Sequence, residues 1–275
     1  SALVGVNFGK QASIQLPDTI SPKRIIFSGI EYRDPTLRFC GTSMRGVAED
    51  FHPMRGLISN APVDHAMNNG VLHSAISVGV VCPDEHNQKF AQFISGLNRQ
   101  SQAKHNTDYL ISFPGFYRAF KTGLDLPDPN SSKWKQITAS SERDVHKAAV
   151  EFGDSIIRKI DQLSANSIDV ILIYIPKEYE VFTSYTDGTV NYDLHDYIKA
   201  YAAQKQVATQ FVREKTIESD LHCQIMWALS LALYVKSGRT PWVVNGIQPD
   251  TAFAGIGYSV MNGPSGSNVV VGCSH

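Results

Sequence analysis

The order of apolar and polar positions divides the chain into short β-prone pieces followed by longer segments of helical period. Over residues 1–60, β-prone runs at 3–8, 12–16, 25–27 and 37–39 alternate with Gly, Pro and Asp, which predicts strands and turns. Residues 71–82 (VLHSAISVGVVC) form a continuous apolar run that predicts a buried strand. Residues 84–98 follow with Phe90, Phe93, Ile94 and Leu97 on one helical face. Residues 107–113 predict another strand, closed by Pro114-Gly115. The stretch 122–140 is rich in Pro, Ser and Asp and places a lobe boundary there.

Beyond that boundary the helical signal is strong. Ser141 is the expected N-cap, with Asp144 three residues on, and an apolar stripe runs through Val145, Ala149, Phe152, Ile156 and Ile160. Residues 168–175 (IDVILIYI) read as a strand buried on both faces, as in a parallel sheet, and end at Pro176. A helix over 194–204, a strand over 206–212, a helix over 219–237 capped by Gly238 and a strand over 241–244 follow. The order from residue 168 is β-α-β-α-β, which predicts a doubly wound, Rossmann-like α/β fold with a parallel sheet. Residues 252–261 and 268–273 predict two strands joined by the turn residues Asn262 to Gly266.

Composition narrows the class. With 275 residues, 43% apolar and 19% charged, the chain is neither disordered nor fibrous. A net charge of −1 supplies no global basic excess for a nucleic-acid partner, although it says nothing about local clusters. The longest apolar runs are too short to span a bilayer, and the N-terminus lacks a signal-peptide pattern. Cys40, Cys82, Cys223 and Cys273 show no metal-ligand spacing, so reduced thiols and a cytoplasmic location are expected.

The usual motifs of α/β enzymes are absent. There is no G-x-G-x-x-G, no phosphate-loop lysine motif, no G-x-S-x-G and no H-E-x-x-H. Ligands in open α/β sheets bind beyond the C-terminal ends of strands, so the site is expected in the long loop after Pro176. His195 and Lys199 lie four apart on one predicted helix. Gln210 is expected to close the next strand, and Lys236 lies at the end of the following helix. Two lysines, an amide and an imidazole converging at one end of the sheet would suit a terminal phosphate. Taken singly, each has an ordinary role: a solvated helix residue, a strand-end amide, a helix C-terminal charge.

The ordered set carries more weight than its members. Ile175-Pro176, His195, Lys199, Thr209-Gln210-Phe211, Lys236-Ser237-Gly238 and Pro241-Trp242 resemble the MID domain of prokaryotic Argonaute proteins. Upstream, Asp34-Pro35-Thr36-Leu37-Arg38-Phe39, Arg55-Gly56-Leu57 and Phe113-Pro114-Gly115-Phe116 are similar to segments that precede MID in that family. The resemblance implies a lead-in segment over 1–122, a MID domain over 140–247 and an incomplete start of an RNase H-like PIWI domain over 248–275. It implies a pocket for the 5′-phosphate of a guide strand, lined by His195, Lys199, Gln210 and Lys236. Thr209, Arg213 and Lys215 would contact the guide backbone.

Further expectations follow from the same resemblance. The first PIWI strand normally carries a catalytic Asp in a pattern like I-G-I-D, whereas here the run is AFAGIGYSV and Gly257 falls at that place. A glycine offers no side-chain ligand to a two-metal site, so no target cleavage and no catalytic residue are expected. That combination is most like the short prokaryotic Argonautes. It implies an RNA guide, a DNA target and an APAZ-containing effector bearing a TIR, SIR2 or nuclease module, in antiviral defence. No certain cofactor follows; Mg2+ at the guide 5′ end is the one ion the family brings into consideration. The alternatives are a small-molecule α/β enzyme using the same pocket, with Ser184, Thr186 or His195 as reactive groups, and a structural subunit with every charge solvated.

Overall fold

The computed structural model describes residues 3–8, 12–17, 35–41, 46–67, 74–104, 109–138, 142–188, 190–248, 250–251, 255–263 and 266–274, with residues 3–17 and 255–274 described by their backbone. The expected strand at 25–27 and the expected cap Ser141 lie outside the described residues. The chain divides into two compact units, Ser1–Asp34 and Pro35–His275. In the first, β1 (Leu3–Phe8) and β2 (Ala12–Pro17) pair antiparallel, with Leu3 opposite Pro17.

The second unit opens on β3 (Leu37–Cys40) and β4 (Val47–Asp50), then the short helices α1 (Pro53–Ser59) and α2 (Asp64–Met67). β5 (Ile76–Pro83) leads into α3 (Asn87–Ser95). α4 (Phe116–Phe120), β6 (Leu124–Asp125) and β7 (Trp134–Ile137) precede the long helix α5 (Val145–Ser164) and β8 (Val170–Ile175). A small hairpin, β9 (Ser184–Asp187) and β10 (Val190–Asp193), introduces α6 (Leu194–Gln204) and β11 (Ala208–Arg213). α7 (Glu214–Ile217), α8 (His222–Lys236) and the two-residue β12 (Val243–Val244) follow. β13 (Gly255–Gly263) and β14 (Gly266–Ser274) form an antiparallel hairpin, as expected from the turn chemistry at 262–266.

The central sheet is parallel throughout. Its order is β11-β8-β5-β6, with β7 pairing on the same side of β5 as β6. All six residues of β8 are buried, and their alternation feeds two cores. Val170, Leu172 and Tyr174 pack with Phe90, Phe120 and Trp227, from α3, α4 and α8. Ile171, Ile173 and Ile175 pack with Phe152, Ile156 and Ile198, from α5 and α6. A sheet covered by helices on both faces is the arrangement that a continuous β-branched run requires.

The structure corrects four expectations. β5 comes from residues 76–83, which the sequence assigns to the lead-in, yet it pairs directly with β8, so the sheet spans the proposed 122–140 boundary. The strand at 243–244 does not extend the parallel sheet; it pairs antiparallel with β3 in a separate small sheet. Of the strand expected at 107–113, residues 107 and 108 lie outside the described residues, and the described remainder forms no named strand, Phe113 making an isolated bridge to Ser101. α5 is capped by Asp144, whose Oδ1 accepts from the backbone N–H of His146 and Lys147 at 2.9 and 3.2 Å. One carboxylate satisfying two orphan donors fixes the helix start at Val145.

The Arg55-Gly56-Leu57 motif has a packing explanation. Gly56 of α1 lies against the ring of Phe39 on β3, and a Cβ added there would stand 2.2 Å from Cζ of Phe39. Gly56→Ala is therefore expected to destabilise the protein by about 1–3 kcal/mol, the usual cost of overpacking, read as a lower denaturation midpoint at unchanged m-value.

Candidate functional site at the edge of the sheet

Among the described residues β11 is the edge strand, with β8 on one side and no further strand of this sheet on the other. Helices α6 and α8 lie on opposite faces of it, since α6 belongs to the Ile171 core and α8 to the Leu172 core. Each helix sends one lysine around the edge. Lys199 Nζ donates to the backbone carbonyl of Thr209 at 2.5 Å, and Lys236 Nζ donates to the same oxygen at 2.8 Å. Lys236 also donates to Gln210 Oε1 at 2.6 Å, and Gln210 Nε2 donates to the carbonyl of Phe211 at 2.9 Å. The amide is thus held with its oxygen toward the lysines.

Local sequence puts each group in place. Asp193 caps α6 by accepting from the N–H of Asp196 at 3.0 Å, so the helix begins at Leu194 as expected. Lys199 is then one turn beyond His195, on the side facing β11. Lys236 ends α8, and Gly238 follows at φ +78°, a left-handed conformation that glycine adopts without strain. The backbone turns away there, and the last lysine side chain is left directed at the strand edge.

The electrostatics are unusual for structural lysines. Among the described residues neither ammonium lies within ion-pair distance of a carboxylate. Partial burial and then repulsion from Lys199 push Lys236 down to about 8. Burial also lowers Lys199. Two partly desolvated ammonium groups on one neutral carbonyl are short of negative charge, and an anion with several acceptor oxygens would supply it. Without such a ligand the pair is a net cost. Lys236→Met is expected to raise the stability of the free protein by about 1 kcal/mol, some 2–4 °C in Tm, measurable by calorimetry.

The remaining expected site residues divide. His195 is half exposed; its Nδ1 lies 3.2 Å from Asp196 Oδ1, and its ring centroid is 5.3 Å from that of Phe211. It packs against Phe211, two residues along β11 from Thr209, and among the described residues makes no hydrogen bond to either lysine. The Thr209 side chain is buried at 2% exposure, so it is not available to a strand; its carbonyl is the contributing group. Arg213 and Lys215 are exposed, but Arg213 lies four residues along β11 from Thr209, about 13 Å at strand rise. Gln210 sits within β11 and does not close it, so the residues gather at the strand's outer edge and not at the sheet's C-terminal end. The loop after Pro176 is instead a 3-10 turn and the β9–β10 hairpin. Thr186 is bonded there to Asn191 at 2.9 Å, and among the described residues no hydrogen bond joins it or Ser184 to His195.

Among the described residues, two groups of side chains could hold a cation. Asp193, His195 and Asp196, all exposed, bring one ligand atom each within 4.8 Å of one another, as do Glu85, His86 and Glu178. The first set offers two hard carboxylate oxygens, which suit Mg2+. Cys40, Cys82 and Cys223 are free, buried and raised above the usual thiol range by burial, which makes them unreactive packing residues. Among the described residues no helix is long and apolar enough to cross a membrane.

Neither a family model nor a curated protein sequence matches the chain. Solved structures do. Drosophila Piwi is 13% identical with a TM-score of 0.48, over 88% of this chain and 30% of its own. Aquifex aeolicus Argonaute with externally bound siRNA is 12% identical at 0.47, over 87% of this chain and 29% of its own. The Methanocaldococcus jannaschii Argonaute is 11% identical at 0.44, over 88% and 31%. The chain spans less than a third of the length of each.

Proposed function

We propose that the Lys199–Lys236 pair anchors the terminal 5′-phosphate of a guide strand, and that the protein uses that strand to recognise complementary nucleic acid. The observation that carries this reading is the convergence of two ammonium groups, from helices on opposite faces of the sheet, on one backbone carbonyl, with no carboxylate at ion-pair distance among the described residues. A phosphomonoester, with three terminal oxygens and nearly two charges at neutral pH, suits both donors together better than a singly charged internal phosphodiester. The His195 ring, one helical turn from Lys199, packs against Phe211 and offers a surface for the first base. The ordered resemblance to the Argonaute MID domain supports the same assignment from sequence.

The reading extends to the absence of cleavage. Gly257 lies within β13, opposite Gly272, where the family's strand would carry an Asp. We propose a guide-loaded recognition subunit that signals to an associated effector and does not cut its target. Nucleic acid isolated with the protein tests the central part. Strands that polynucleotide kinase labels only after phosphatase treatment carry the expected 5′-phosphate; strands labelled equally well without it would refute the anchor.

A further inference from the structure

A second polar cleft lies beyond the carboxyl ends of β5 and β7, which pair through Pro83 and Ile137. It has a volume of about 320 Å³ and is lined by Asp84, Gln136, Ser155, Arg158, Lys159 and Gln162. Four of these come from α5 at spacings of three, one and three residues, a stripe parallel to the buried one at Phe152, Ile156, Ile160 and Leu163. A polar stripe on an amphipathic helix ordinarily faces open solvent. This one, exposed at Arg158 and Gln162 and half-buried at Ser155 and Lys159, also borders the ends of two parallel strands.

The neighbouring strand ends are closed. The backbone N–H of Lys177, just past β8, donates to Glu214 Oε2 at 2.7 Å, and Lys89 bridges Glu214 and Glu218. Tyr179 donates to Glu85 at 2.7 Å, and His86 pairs with Glu178. Ligands in open α/β sheets bind outside the carboxyl ends of the strands, and here the open portion is the β5–β7 end.

The charges in the cleft favour an anion. Neither Arg158 nor Lys159 has a carboxylate within ion-pair distance among the described residues. The single acid, Asp84, accepts from Asn87 Nδ2 at 2.8 Å, and Asn87 in turn accepts from the indole of Trp134 at 2.7 Å, which fixes the carboxylate. Ser155 spends its proton on the carbonyl of Phe152 at 2.7 Å and so presents lone pairs to the cleft. One wall therefore offers two cations for a phosphate. Asp84, Ser155 and the two amides can accept from hydroxyl or amino groups on its body.

We infer that this cleft binds a small phosphomonoester with a polar body, of the nucleoside 5′-monophosphate class. The volume is at the lower end of small-molecule sites. The inference does not rest on the guide-anchor reading: β7 and β11 are three strand positions apart, roughly 14 Å at inter-strand spacing. The bound nucleotide would sit against the α5–β7 end of the sheet, away from Lys199 and Lys236.

Titrating AMP calorimetrically into the full chain and two double variants tests this. The Lys199→Ala/Lys236→Ala protein is expected to keep one saturable AMP site, and Arg158→Ala/Lys159→Ala to weaken that site at least tenfold. Gln136→Glu, which adds a second carboxylate to the cleft from an exposed position, is expected to weaken it as well. AMP binding that disappears with the Lys199 and Lys236 substitutions, or that survives the Arg158 and Lys159 substitutions unchanged, would overturn the inference. So would displacement of AMP from the Lys199→Ala/Lys236→Ala protein by a 5′-hydroxyl oligonucleotide, because the cleft would then be a track for internal phosphodiesters.

Discussion

Lys236→Ala is expected to weaken binding of a 5′-phosphorylated oligonucleotide by roughly thirtyfold or more, and to leave binding of the same strand with a 5′-hydroxyl nearly unchanged. Truncating one member of a desolvated, hydrogen-bonded charge pair costs about 2 kcal/mol or more. Lys199→Ala is expected to act alike, since both ammonium groups meet at the Thr209 carbonyl. The two losses should not add fully, because the lysines share one acceptor and would share one ligand. Arg213→Ala and Lys215→Ala, at exposed positions farther along the chain, are expected to change affinity for both strands equally and modestly. A loss of equal size for phosphorylated and unphosphorylated strands in the Lys236 variant would place that lysine on the strand backbone and not at its terminus.

The second large effect is on pH dependence. Lys236 in the free protein titrates near 8, well below an ordinary lysine. A bound phosphate would favour its charged form, so binding takes up a proton once the pH passes that value. Affinity for the 5′-phosphorylated strand is expected to rise between about pH 5 and 7, as the phosphate takes its second charge, and to level off. Above about pH 8 it should fall by up to tenfold per unit. Stability of the free protein runs the other way. A lysine with a lowered folded-state pKa binds fewer protons folded than unfolded between about 8 and 10.4, so its contribution to stability rises across that window. Opposite slopes for binding and stability mark a charge held for a ligand. Parallel slopes would indicate global alkaline unfolding.

The parts of this architecture legible in the sequence are those fixed by neighbours along the chain. α6 begins and ends where its pattern predicts, and the all-apolar run at β8 is buried on both faces. The C-terminal hairpin follows its turn residues. Non-local pairing was not legible: nothing within residues 76–83 states that they lie beside residues 170–175, and a polar stretch at 122–140 resembles a boundary although it is a connection within one sheet. The start of α5 is ambiguous in the sequence because Ser141 and Asp144 both have capping chemistry, and only the geometry shows the Asp144 carboxylate meeting two amides.

The same division holds for the site. Lys199, Gln210 and Lys236 could be singled out by order and residue type, and the structure brings these three together. The atom that organises them, the Thr209 carbonyl, is backbone, and no residue type announces it. Thr209 is expected to contact the guide backbone; its side chain is buried, because alternation on the strand sends it inward, while its carbonyl meets the two lysines. That an edge strand and not a strand end carries the site also depends on sheet order, which spacing alone does not define.

The most direct measurement is the ratio of dissociation constants for one oligonucleotide with a 5′-hydroxyl and with a 5′-phosphate, at pH 7.5 and fixed salt. The two-lysine anchor predicts a ratio of roughly thirty or more for the unaltered chain, collapsing toward one in Lys199→Ala/Lys236→Ala. Equal constants for the two strands in the unaltered chain would contradict it.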